Sequence, residues 1–225
     1  MKTTDIKKVT TLAMFSALAF LLALLFHFLP IPPLVPAAPF LKFEPKDMII
    51  AIAGFLYGPL PVIPMALVVG LLEMPLSGTW LYGLIMNVAS TCAFACTASL
   101  IYIKWRTIIG AAAGLTAGVV AVTAVMIPLN YLITPFFMGV PRHIVVEILI
   151  IGIGLFNFVK YVLVAVMTMQ LYIPLKAALI KLNLIPEPES SKISKKISAS
   201  SIVVSVIIGI LCALIILYLN EVLFF

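Results

Sequence analysis

The chain has 225 residues, of which 64% are hydrophobic and only 10% charged, with a formal net charge of +6. A soluble domain carries about a quarter of its residues as charges, and a chain of this size exposes too much surface to hide so much apolar area from water. A water-soluble fold is excluded, and because the cations sit at the ends of apolar runs, the positive balance reads as membrane orientation rather than nucleic-acid binding.

The first apolar run, 9–29, follows Lys7-Lys8. At about 20 residues it is longer than the roughly 7–15 of a signal-peptide core, and it reads as a retained first span. It carries two small residues one turn apart, Ala13 and Ala17, which let another helix approach closely. The segment 30–47 contains six prolines, which rule out helix and favour extended backbone. It reads as an extracellular cap with the apolar stretch Phe40-Leu41-Lys42-Phe43. The next run, 48–72, holds Gly58-Pro59, Pro61 and Pro64. Each proline removes a backbone donor and clashes with the turn before it, so this run is expected to be two short helices joined at Tyr57-Gly58-Pro59. Runs 79–103, 107–134 and 148–176 follow, the second of them with Gly110, Gly114 and Gly118 at the spacing of a close helix-packing face. Cys92 and Cys96 share a helix face but have no His/Cys cluster to complete a metal site, and read as small packing residues. Residues 183–200 are polar, Pro/Ser-rich and charged, a flexible linker. Beyond them lies one more apolar run, 201–225.

Charge placement fixes the expected topology. With a cytoplasmic N-terminus and a real turn at Gly58-Pro59, Lys2, Lys7, Lys8, Lys104, Arg106, Lys176, Lys181, Lys192, Lys195 and Lys196 all lie inside, and only Lys42, Lys46 and Arg142 lie outside. An unbroken span over 48–72 would put most of these cations outside, against the positive-inside rule. The expected organisation is a transmembrane core over 1–182, a cytoplasmic linker over 183–200 and a last helix over 201–225 that leaves the C-terminus extracellular.

No GxxxxGK[ST] phosphate loop, HExxH motif or GxSxG elbow is present in the sequence. What remains is a sparse polar set at membrane depth: Glu73, Asn87, Asn130, Asn157, Lys160 and Gln170. Ionisable residues there are costly and mark functional sites by default. Lys160 is too deep to reach the interface easily, and Asn157, three residues earlier, shares its face. With Phe156 and Tyr161 beside them, they suit a planar ligand with a polar edge. A purely structural Lys160–Glu73 ion pair is the competing reading, and an intramembrane enzyme using Glu73, Lys160 and Asn87 is the competing function.

The stretch FLKFEPKDMIIAIAGFLYGPL at 40–60 resembles the signature of S components of energy-coupling factor (ECF) vitamin transporters, and most of all the riboflavin-specific, RibU-like subfamily. The matching features are Asp47 opening the second helix, the turn Gly54-Phe55-Leu-Tyr-Gly58-Pro59, Ser77-Gly78-Thr79, Met86-Asn87 and Leu155-Phe156-Asn157-Phe-Val-Lys160. Ala13-x-x-x-Ala17 matches the small-residue motif by which the first helix meets the coupling subunit. The resemblance covers about residues 8–182. It departs from the family at Val69-Gly70 and Glu73, where a Lys-Asn pair is common, and at Leu155, where a proline is usual. It implies an all-α six-helix membrane bundle with a Pro-rich extracellular capping loop, to which 201–225 is an added helix. It also implies a non-enzymatic subunit without a cofactor that captures riboflavin or a related heterocycle outside the cell, then docks on a transmembrane coupling subunit driven by two ATPase subunits. Carried over residue by residue, Asn157, Lys160 and Asn87 bind the ring edge, and Lys42 and Phe43 close over it. Phe156, Glu73 and Asn130 complete the candidate pocket, and Ala13 and Ala17 form the partner interface.

Overall fold

The computed structural model describes residues 3–29 and 41–182. Among these, every regular element is a helix: α1 (Thr3–Phe28), α2 (Asp47–Tyr57), α3 (Val62–Glu73), α4 (Trp80–Trp105), α5 (Ile108–Met138), α6 (Arg142–Ile148), a π-helical stretch (Leu149–Gly154) and α7 (Leu155–Lys181). Most of the proline-rich cap (30–40), the linker 183–200 and the run 201–225 lie outside the described residues. Four helical segments are long and apolar enough to cross a bilayer: Ile6–Phe28, Trp80–Trp105, Ile108–Met138 and Gly152–Tyr172.

The run 48–72 is two helices. Its break falls at Gly58, whose φ of 95° suits a residue without a Cβ, and whose N–H donates to Gly54 O at 2.8 Å. Pro61 caps α3, and Pro64 sits in its first turn, where the missing N–H costs nothing. At 11 residues α2 is roughly 16 Å long, about half a bilayer. Asp47, its first residue, bonds to Thr91 near the middle of α4, and Gly58 at its other end lies beside Ile103. Helix α2 therefore accompanies only the second half of α4.

Helices α4 and α5 pack at backbone distance. A Cβ on Gly114 would sit 2.5 Å from the Ala98 carbonyl oxygen, and one on Gly118 would sit 2.7 Å from that of Phe94. The intramolecular packing expected for these two glycines is what the structure contains. Gly110 serves the helix end instead, where its N–H donates to the Thr107 hydroxyl at 3.0 Å and closes the first turn of α5. The core between the helices is apolar, with Ile50, Ile52, Val62, Phe94, Val122 and Tyr161 fully buried.

The last described helix begins earlier than the apolar run at 148 suggests. It starts at Arg142 and passes through the π-helical stretch into α7. Hydropathy misses this start because Arg142, His143 and Glu147 interrupt the apolar pattern, although polar residues are ordinary in a helix that emerges at a membrane surface.

Candidate functional site

The space beyond the short α2 is occupied by residues 41–46 and by a cavity of about 410 Å³. Its walls come from five helices: Ala23 and His27 late in α1, Glu73 at the end of α3, Met86, Asn87 and Ser90 early in α4, Met126 and Phe137 in the second half of α5, and Phe156, Asn157 and Lys160 at the start of α7. Leu41, Lys42 and Glu44 close it from the preceding segment, and Leu76, Ser77, Gly78 and Thr79 from the α3–α4 turn. This composition, mostly apolar with a few polar groups, is that of a small-molecule site, and the volume falls in the usual range of about 300–1,000 Å³.

Six of the eight pocket candidates meet here: Lys42, Glu73, Asn87, Phe156, Asn157 and Lys160. Asn157 donates from Nδ2 to Ile153 O at 2.8 Å, which orients the amide and leaves Oδ1 and one N–H unengaged among the described residues. Lys160 is 7% exposed, and its Nζ lies 5.3 Å from the centre of the Tyr161 ring. It meets no carboxylate among the described residues, so the Lys160–Glu73 ion pair is not formed.

Glu73 has a different partner. Its Oε2 accepts from Lys46 Nζ and, at 3.3 Å, from Asn87 Nδ2, while Oε1 is buried without a hydrogen-bond partner among the described residues. Lys46 also reaches Glu44 at 3.4 Å. In the sequence Lys46 reads only as an outer cation. Its acidic neighbours Glu44 and Asp47 are the available signal that it is paired, but a partner on α3 is a tertiary fact. Ser77, Thr79 and Ser90 likewise do not stand out as pocket residues, because single hydroxyls in apolar segments carry no periodic signal.

Phe43 and Asn130 stand apart from the cavity. Phe43 packs edge-on against Phe26 of α1, with ring centres 5.8 Å apart. Asn130 is fully buried inside α5, donating to Met126 O at 2.7 Å and accepting from Thr134 at 3.0 Å. Its amide is spent within its own helix, and that use turns it from the pocket. Ala13 and Ala17 lie on the exposed side of α1, Ala13 in its first half and Ala17 near its middle, while His27 is in its last turn.

The family described as the substrate-specific component of ECF transporters matches residues 7–172. This chain belongs to that family. It is a membrane-embedded S component, a substrate-binding transport subunit and not an enzyme, of the kind that takes a small molecule and works with an ECF module. The intramembrane-enzyme reading is thereby set aside. Among curated proteins it is 29% identical over 182 residues to the riboflavin transporter FmnP of Bacillus subtilis (strain 168), covering 76% of this chain and 93% of that one. A solved S component of a bacterial ECF transporter is similar at 30% identity with a TM-score of 0.66, covering 78% of this chain and 98% of the other.

Proposed function

We propose that this S component captures riboflavin from outside the cell and hands it to an ATP-driven coupling module. The observation that carries the reading is the meeting of Asn157 and Lys160 with Phe156, Met86 and Met126 on one cavity. Riboflavin is flat and neutral, with two carbonyls flanking an imide N–H along one ring edge. Lys160 donates only, and Asn157 still has an acceptor and a donor, so the pair complements that edge. The apolar walls suit the ring faces. The similarity to a riboflavin transporter supports the same ligand.

Charge placement supports an outward-facing cavity. The end of the bundle away from the cavity carries Lys7, Lys8, Lys104, Arg106 and Lys181, and the cavity end carries Lys42, Lys46 and Arg142. The positive-inside rule puts the first group, and the N-terminus, in the cytoplasm. Ala13 then lies in the cytoplasmic half of α1 and Ala17 near its middle, both exposed and small, as a docking face for a transmembrane coupling subunit requires. Two ATPase subunits complete the assembly in this reading.

The test is direct. Protein purified in detergent without partners is titrated with riboflavin while flavin fluorescence is followed. Saturable quenching near one ligand per chain is the expected result. Absence of quenching, with a colourless protein, would overturn the ligand and send the search to other vitamins within the same architecture.

A further inference from the structure

We infer that Glu73 is a specificity-determining residue that accepts a hydrogen bond from the hydroxylated chain of the ligand, on the α3–α4 wall of the cavity, whereas the ring-binding pair is on the α7 wall. The inference rests on the flavin reading above and adds the ligand's orientation to it.

Three observations lead there. First, Glu73 lines the cavity, its side chain is 8% exposed, and Oε1 is a buried acceptor with no partner among the described residues. An unsatisfied buried acceptor is uncommon and calls for an explanation, and a bound donor supplies one. Second, Lys46 and Asn87 both donate to Oε2, so the carboxylate is anchored from behind with an ammonium as its counter-charge. An ionised carboxylate accepts and never donates. It is mismatched to the two carbonyls of a flavin ring edge and matched to hydroxyls. Third, the neighbouring lining residues are Ser77 and Thr79, whose hydroxyls both donate and accept. The two polar walls of the cavity thus differ in kind. The wall at α7 offers an ammonium and an amide for a carbonyl-rich edge, and the wall at α3–α4 offers a fixed acceptor and two hydroxyls for a polyol.

The experiment compares riboflavin with lumiflavin, which keeps the ring and has a methyl group in place of the hydroxylated chain. Both are titrated against the full chain and against Glu73→Gln. In the variant, riboflavin should bind at least about tenfold more weakly, about 1.4 kcal/mol, while lumiflavin binding stays unchanged. Glu73→Gln leaves Lys46 without its main counter-charge, so the double variant Lys46→Met/Glu73→Gln is measured alongside. It removes both charges together and should show the same selective loss. Equal losses for the two ligands in both variants, or no loss for either, would overturn the assignment while leaving flavin capture standing. An unaltered chain that binds neither ligand would remove the flavin reading, and this assignment with it.

Discussion

The hydroxyl of Tyr161 donates to Asp47 Oδ2 at 2.9 Å, joining α7 to the first turn of α2. The other carboxylate oxygen accepts from Thr91 of α4 at 2.6 Å, so a single buried side chain holds three helices together. Its chain neighbour is Lys46, and Tyr161 is the chain neighbour of Lys160. The fixed point at Asp47 is therefore one residue along the chain from Lys46, the partner of Glu73, and is bonded to the chain neighbour of Lys160, which lines the cavity. Asp47→Ala removes the acceptor that both buried hydroxyls share, at a cost of about 1–3 kcal/mol for each hydroxyl left unsatisfied. It is expected to lower stability by about 3 kcal/mol in thermal unfolding of the detergent-solubilised protein, and Asp47→Asn, which keeps one acceptor, by less.

Lys160→Ala separates ligand binding from architecture. The lysine makes no ion pair among the described residues, so its removal should leave the unfolding temperature unchanged or raise it, because a buried charge without a counter-ion costs free energy. Riboflavin affinity should fall by about tenfold to a hundredfold, the loss expected for a hydrogen bond from a charged donor. Fluorescence titration paired with thermal unfolding checks both halves. A drop in stability with unchanged affinity would assign the lysine to structure.

Gly114→Val and Gly118→Val test the contact between α4 and α5. Neither site has room for a Cβ against the backbone of the facing helix, so the helices must separate. Each change is expected to destabilise the protein by about 1–3 kcal/mol, the usual cost of overpacking. Gly78→Ala, in the α3–α4 turn, has no atom within 4 Å of its new methyl group and serves as the control for unfolding measurements.

Ala13→Trp and Ala17→Trp test the exposed side of α1. Both positions are exposed, and neither lines the cavity. Riboflavin uptake by cells should be lost, because a bulky side chain blocks close helix approach, while the purified variants bind riboflavin as before. Loss of binding in these variants would count against a docking role.

Much of this is legible in the sequence. The proline cluster locates the break at Gly58, and the glycine spacing locates the close face of α5, because both are local consequences of backbone chemistry. The spacing of Asn157 and Lys160 brings them to one cavity for the same reason. Partner choice is not legible. Lys160 and Glu73 look like natural counter-ions at similar depth, but α2 begins at mid-depth and brings Lys46 to Glu73 first. Phe43 sits in a segment that reads as a lid, yet Phe26 offers its ring an apolar neighbour on α1. Asn130 is of the right residue type at membrane depth, and only the structure shows it spent on its own helix.

The brevity of α2 and α3 has a consequence for how the protein is made. With 11 and 12 residues, neither reaches the about 20 that a lone helix needs to settle across a bilayer. During synthesis they cannot be released into lipid one after the other as α1 is. They partition as a single re-entrant hairpin, and their charged ends, Lys46, Asp47 and Glu73, tolerate the apolar phase only once they have found one another and α4. Biogenesis of this subunit is therefore cooperative over residues 46–91, and damage to the pairing there would appear first as failed insertion, before any defect in transport could be seen.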